Sequence, residues 1–534
     1  MKKFETGGEI KQYHVGLLAA ITMVFSLVAA GAYGVEEMVP ACGPGMTIVL
    51  LLVIPFIWGL PMGFVSAELG GARPVEGGYY KWVQEGLGEF WGFQSNWWRT
   101  CSCYIGNAES IVLASGYIGM ALELNQTETY ILRVALVILL IGLNIRGIGD
   151  VSVVTRFFIL LVLTAFGLIA ILGFVHWNNN PFDPFVPEGM GLLEAAASGI
   201  IIGMWMYSGY ESLSTVAGEI KQPQVIPKAL VIAIPLIVAT YVLPITGGLA
   251  SIGQWENWST DPSAPVGYHT VLTNYLGSWT GIVFLFISAG AMAALCNAYI
   301  ATSSRGFFTL SHDRLAPPIL VKVSKKRGVP YVPILIMGAV DIIMCQFDFT
   351  AIVVIDVFFF MTSYIVIYIA AIRLRKTIPD EERTFKLPVS DGVFTVICIV
   401  PIILAVCALF VNGADYFIGG VIGLVSGPVV YVFWKRRYGG LAVIDPDHYP
   451  LNPRTKLGQG DLRRIGNLCL MLATVGLAGR FFLPWYEAGG ESYYDETYGM
   501  NQMFDTFMWV LTAATIILYA AAIILLRVGK KIDR

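Results

Sequence analysis

The chain has 534 residues, 56% of them hydrophobic and 13% charged, with 34 basic and 37 acidic side chains and a formal net charge of -3. Soluble domains carry roughly a quarter of their residues as charges, so an ordinary soluble enzyme is excluded, and the near-neutral balance offers no field for nucleic acid. Apolar runs of about 20 residues, long enough to cross a bilayer as a helix, recur down almost the whole chain.

Residues 1–14 are polar and read as a cytoplasmic N-terminus. The first apolar run is too long and too Gly-broken for the core of a cleaved signal, so it is expected to be retained. Spans follow at 15–38, 46–69, 91–120, 129–145, 151–175, 192–220, 229–252, 277–304, 331–347, 350–372, 393–412, 415–434, 465–486 and 506–527, fourteen in all. The polar, Pro-containing segment 436–464 reads as a cytoplasmic loop and the one candidate module boundary; residues 465–534 then hold spans thirteen and fourteen and a cytoplasmic C-terminus. Arg480 lies inside span thirteen. The eight cysteines, Cys101, Cys103, Cys296 and Cys345 among them, are scattered through apolar runs and read as small buried residues; no metal or disulfide framework is visible.

Lys and Arg in the short loops set the orientation. Lys81, Arg146, Lys221 and the clusters around Arg314–Arg327, Arg373–Lys386 and Lys435–Arg437 fall in alternate loops, on the side of both termini. The opposite loops hold acids such as Glu123, Asp183, Glu256 and Glu491, together with two sequons at Asn125 and Asn257. The expected location is a cell membrane, crossed many times, with both termini cytoplasmic. The five histidines, His14, His176, His269, His312 and His448, sit in or near loops and read as surface residues.

Two spans look broken. In lipid every backbone group must be satisfied internally, so runs of Gly and small residues at mid-depth are tolerated where the opened backbone lines a cavity. Span one carries Gly31-Ala32-Tyr33-Gly34-Val35-Glu36-Glu37, and span six carries Trp205-Met206-Tyr207-Ser208-Gly209-Tyr210-Glu211. The two are five spans apart, the spacing of inverted five-helix repeats, here 15–175 and 192–373, with spans eleven and twelve (393–435) outside them. Where a half-helix resumes it presents free N–H groups, so Glu36 and Glu211 there cap the donors themselves and leave a negative site better suited to an amine than to a carboxylate. Tyr33, Trp205, Tyr207 and Tyr210 supply aromatic faces for an ammonium or alkyl chain. The bland alternatives are close packing by glycine and simple helix capping.

Tyr207-Ser208-Gly209-Tyr210-Glu211 with Ala217-Gly218-Glu219 and Pro227-Lys228, Ala67-Glu68-Leu69 with Gly77-Gly78-Tyr79-Tyr80, and Ser304-Arg305 with Asp313 resemble motifs of the amino acid/polyamine/organocation superfamily of secondary transporters, over roughly residues 10 to 435. Gly34-Val35-Glu36-Glu37, Pro55-Phe56-Ile57-Trp58 and Phe90-Trp91-Gly92-Phe93-Gln94 resemble its polyamine:proton symporter branch. The resemblance implies an all-α membrane protein with a five-plus-five inverted-repeat (LeuT-type) core and spans one and six discontinuous. It implies Glu36 as a ligand for a substrate amine, Glu211 as a second acid near the site, and Trp205 as an inner aromatic gate. Span three departs from the branch, with Gly106 where an Asp is typical; its neighbour Asn107 is a candidate to face the substrate. Spans thirteen and fourteen exceed the superfamily's usual twelve.

The expected function is a secondary active transporter of polyamines or other organic amines, proton-coupled, working by alternating access, with no cofactor and no enzymatic activity. Glu36, Glu68, Glu109 and Glu211 are coupling candidates; Asp341 and Asp356 are further acids inside spans. Thr302 and Ser303 are weak sodium candidates, and no Lys in span five stands in for sodium. A zwitterionic or cationic amino-acid permease or exchanger is the alternative, and a channel or transport-like nutrient sensor is the alternative of another class.

Overall fold

The structure is a computed structural model that describes residues 16–29, 31–75, 77–146, 151–212, 225–261, 266–324 and 329–532. The N-terminal tail with His14, the Ala217–Pro223 motif and the resumed half of span six beyond Ser212 lie outside the described residues. Among the described residues helices fall within the expected segments, and ten are long and apolar enough to cross a membrane by length and composition. Three more, Leu17–Ser26, Leu192–Met206 and Tyr331–Met344, are apolar but short. The remaining one is span three, Glu89–Leu122, a 34-residue helix with Arg99, Asn107 and Glu109 buried in it. Large apolar side chains such as Phe433, Phe481, Ile516 and Trp509 stand exposed on the outer surface, which suits lipid and would be a liability in water.

Span three is the central post, packed along span eight (Ser278–His312) and span ten (Phe349–Thr377). Span seven (Val225–Ile252) lies against the first half of span one and against span five. Span two (Pro44–Ala72) widens into a π turn at Pro55–Gly59, where proline removes a helical donor. That turn brings Gly59 close to the break in span six: a Cβ there would stand 3.2 Å from the Tyr210 ring.

Basic residues gather at one end of the bundle, which also holds the C-terminus of span fourteen. Several are tied to acids. Arg73 pairs with Glu382 at 2.6 Å, Lys81 with Asp313 at 2.6 Å, and Lys435 with Glu89. The 436–464 segment docks here rather than hanging free, since Leu441 N donates to Glu89 Oε2 at 3.0 Å and Tyr431, on span twelve, donates to Asp461 at 2.6 Å. Spans thirteen (Asp461–Tyr486) and fourteen (Met503–Ile532) pack chiefly on each other, with a smaller contact to span twelve (Ala414–Tyr438). Among the cysteines, six are buried and Cys407 is exposed on span eleven.

Candidate functional site: an acid-lined cavity between two broken helices

Span one is helical over Leu17–Val28 and again over Val35–Cys42; Gly31 and Gly34 between them hold φ of 136° and 84°. Span six is helical over Leu192–Met206 and opens at Tyr207, with Gly209 at φ 106°. Side chains with a Cβ resist this half of φ/ψ space, so glycine is needed at Gly34 and Gly209. The two breaks face each other: a Cβ on Gly34 would lie 3.2 Å from the Trp205 ring. One hydroxyl joins them. Tyr241 of span seven donates to Met206 O at 2.9 Å and to Val28 O at 3.2 Å, the last carbonyls of both first halves.

Between the breaks and span three lies a cavity of about 40 Å³, room for water but not for an extended amine until its walls part. Its polar wall is acidic. Glu109 of span three accepts from Trp205 Nε1, while its other oxygen is buried without a partner. Asp356 of span ten also has one buried, unpartnered oxygen, Oδ1. Tyr33, Tyr299 and Phe360 add aromatic faces.

The cavity is closed on both sides. On the side away from the basic end, Trp205 packs edge-on against Phe349 at the start of span ten, with ring centroids 5.2 Å apart. Trp205, at the end of the first half of span six, thus walls the cavity on the side away from the basic end. On the basic side, Arg99 of span three donates through Nε to Glu211 at 2.8 Å and through Nη1 to Ser102 at 2.7 Å. Tyr364 donates to the other Glu211 oxygen, offers its own oxygen to Gly209 N at 3.1 Å, and stacks on Trp58. Arg99 lines both this cavity and a second one of about 30 Å³ nearer the basic end, so the pair is the partition between them.

The expected site residues divide into three sets. Tyr33, Trp205, Ser208 and Glu109 line the cavity. Gly31, Ala32, Gly34, Tyr207 and Gly209 form the breaks without lining it; Tyr207 points away, donating to Leu51 O at 2.7 Å. Glu36, Asn107, Glu68 and Glu211 are engaged elsewhere. Glu36 accepts from Tyr117 at 3.1 Å and Tyr268 N at 3.4 Å. Beside it Glu37 accepts from Thr260 N at 2.6 Å and Ser259 at 2.9 Å. The two acids thereby hold the loop between spans seven and eight over the far end. His269 in that loop is half-buried rather than on the surface, and burial lowers its pKa.

Asn107 turns behind span three and donates to Asp341 at 2.8 Å. Glu68 sits at the basic end, bridged by Arg375 and Arg383, each at 2.5 Å. Glu211 is matched by Arg99 and is no open acid. Thr302 bonds its own helix at Ala298 O, 3.0 Å away, and Thr302 and Ser303 share the smaller cavity with Arg99 and Arg305, cationic company that suits sodium poorly. Sequence reasoning missed Arg99, although an arginine inside an apolar span is itself a signal that a buried partner exists. Tyr241 carried no such signal.

Two broken helices facing across a closed central cavity, five spans apart, define an alternating-access carrier rather than an enzyme. The fold is that of the five-plus-five inverted-repeat transporters: the crystal structure of MhsT in complex with L-phenylalanine superposes with a TM-score of 0.58 at 13% identity, covering 75% of this chain and 100% of that one. A profile of the amino acid permease family matches residues 15–433, and the chain belongs to that family. It is 30% identical over 420 residues to the probable polyamine transporter At1g31830 of Arabidopsis thaliana, covering 74% of this chain and 78% of that protein. It is 29% identical to the polyamine transporter RMV1 of the same plant, covering 83% and 90%, and 28% identical to the polyamine transporter PUT1 of Oryza sativa subsp. japonica, covering 81% of each.

Proposed function

We propose that the protein is a proton-coupled carrier of polyamines or related organic amines in a cell membrane, with both termini cytoplasmic. The observation that carries this reading is which groups at the breaks remain open. At the break in span six one backbone donor that a substrate carboxylate could use is already occupied, since Gly209 N donates to Tyr364. The open groups in the cavity are carboxylate oxygens of Glu109 and Asp356, which call for a cation. The names of the plant relatives point the same way.

Glu109 is the proposed coupling group. It is the one of the four coupling candidates that lines the cavity with an oxygen unpartnered, whereas Glu68 and Glu211 are held by arginines and Glu36 by hydroxyl and amide donors. A carboxyl exposed in turn to each side can carry a proton and a substrate ammonium alternately. The basic end faces the cytoplasm by the excess of Lys and Arg in its loops.

The test is uptake of labelled 1,4-diaminobutane into proteoliposomes. An acid-outside pH gradient is expected to drive accumulation without sodium, and excess unlabelled diamine to compete where neutral amino acids do not. Uptake driven by sodium alone, or displaced better by a neutral amino acid, contradicts the reading.

A further inference from the structure

Span three presents glycine to the cavity at position 106, and span ten fills the gap. A Cβ built on Gly106 would stand 3.0 Å from Asp356 Oδ2 and 3.4 Å from Oδ1, so the carboxylate occupies the volume that a side chain of span three would otherwise take. Asp356 is 6% exposed and its Oδ1 has no partner. Glu109 lies three residues after Gly106 on the same helix face, where neighbouring Cβ atoms are about 5–6 Å apart. The Asp356 carboxylate and Glu109 therefore sit about one helical turn from each other along the cavity wall, each with an oxygen unclaimed. The positive charge at this wall, Arg99, is engaged by Glu211 and Ser102.

Two buried carboxyl groups with open oxygens one turn apart offer seats for two cations at that spacing. In an extended 1,4-diaminobutane, five single bonds of about 1.5 Å place the ammonium nitrogens about 6 Å apart. We infer that Gly106 and Asp356 act as a specificity-determining pair: Asp356, admitted by the glycine, takes the second ammonium of a diamine whose first is held by Glu109. This rests on the amine reading above and adds to it a second anchor, supplied by span ten rather than span three. The pair also makes the second charge transferable, since what matters is a carboxylate in that volume and not the helix that brings it.

The experiment measures binding of 1,4-diaminobutane and of 1-butylamine, the same carbon chain with one charge, to the purified full-length protein by calorimetry. Wild type is expected to prefer the diamine. Asp356→Asn should reduce that preference about ten- to a hundredfold, the range for losing a charge-assisted contact. The double variant Gly106→Asp/Asp356→Gly, which returns the acid from span three, should restore a large part of it. Should Asp356→Asn fail to fold, Gly106→Ala reads the same preference, because its methyl group displaces the Asp356 carboxylate while keeping the charge; there too the diamine preference should fall. A variant that keeps the wild-type preference, or loses both amines equally, overturns the assignment of Asp356. If wild type binds diamine and monoamine alike, this inference fails and the amine reading stands; if it binds neither, the amine reading itself fails.

Discussion

Glu68 and Glu109 are both carboxylates fully buried in apolar helices, and they live in opposite electrostatic circumstances. Glu68 has an arginine on each oxygen and a backbone donor from Leu387 besides. Glu109 has one indole donor on one oxygen and an open cavity at the other. Burial of an acid in a membrane helix is thus no guide to its role; what separates a structural acid from a working one is whether its partners are all permanent. The basic end of the bundle is built of the first kind, with Glu68, Glu89 and Asp313 each saturated, while the cavity wall formed by Glu109 and Asp356 is built of the second.

The largest effect that tests the contrast is on stability. Glu68→Ala leaves Arg375 and Arg383 buried without their shared anion, and breaking such a pair costs about 3–5 kcal/mol. The melting temperature in detergent should drop sharply, while in Glu109→Ala it should hardly move, since no charge partner is orphaned. Equal destabilisation by both would erase the distinction. Next comes transport: Glu109→Gln should lower diamine uptake about ten- to a hundredfold at unchanged amount of folded protein, by loss of a charged contact.

The saturated acids should also be visible in acid. Burial raises the pKa of Asp313, but hydrogen bonds from His312, Lys81 and Tyr80 and the Lys81 charge outweigh it and hold the carboxyl well below the usual range. A depressed folded value means that its stabilisation is complete above the unfolded value near pH 4 and is lost as pH falls below that toward the folded one. Wild type should therefore lose thermal stability more steeply than Asp313→Asn on acidification below about pH 4. Parallel curves would show that Asp313 is not held as described. The smallest effect is expected for Tyr241→Phe, which removes a single hydroxyl from two helix-end carbonyls, for about 1 kcal/mol of stability; a loss several times larger would mean that the hydroxyl organises both breaks.

Much of this was legible in the residues. The span positions, the two breaks and the five-span offset between them follow from hydropathy and from Gly31, Gly34 and Gly209, because the membrane forces local backbone bonding and any exception is conspicuous. Side-chain direction was not legible. Whether Glu36 faces the cavity or the loop above it depends on Tyr117 and Tyr268, which come from distant parts of the chain. Gly106 and Asn107 exchange roles relative to a reading of span three alone, since the helix presents the glycine to the cavity and turns the amide toward Asp341. The pairing of Arg99 with Glu211 joins spans three and six across 112 residues, a separation that no local pattern encodes. Asp356 was visible as an acid in a span, but its place opposite Gly106 depends on the packing of span ten against span three.

The central claim is that the substrate's charge is met by the open acids of the cavity and not by the acid after the first break. The direct measurement compares binding of 1,4-diaminobutane to Glu109→Gln and to Glu36→Gln, side by side, in purified folded protein. The account predicts that Glu109→Gln weakens binding at least about tenfold more than Glu36→Gln does. The reverse order, with Glu36→Gln the more damaging, would contradict it and move the amine to the resumed half of span one.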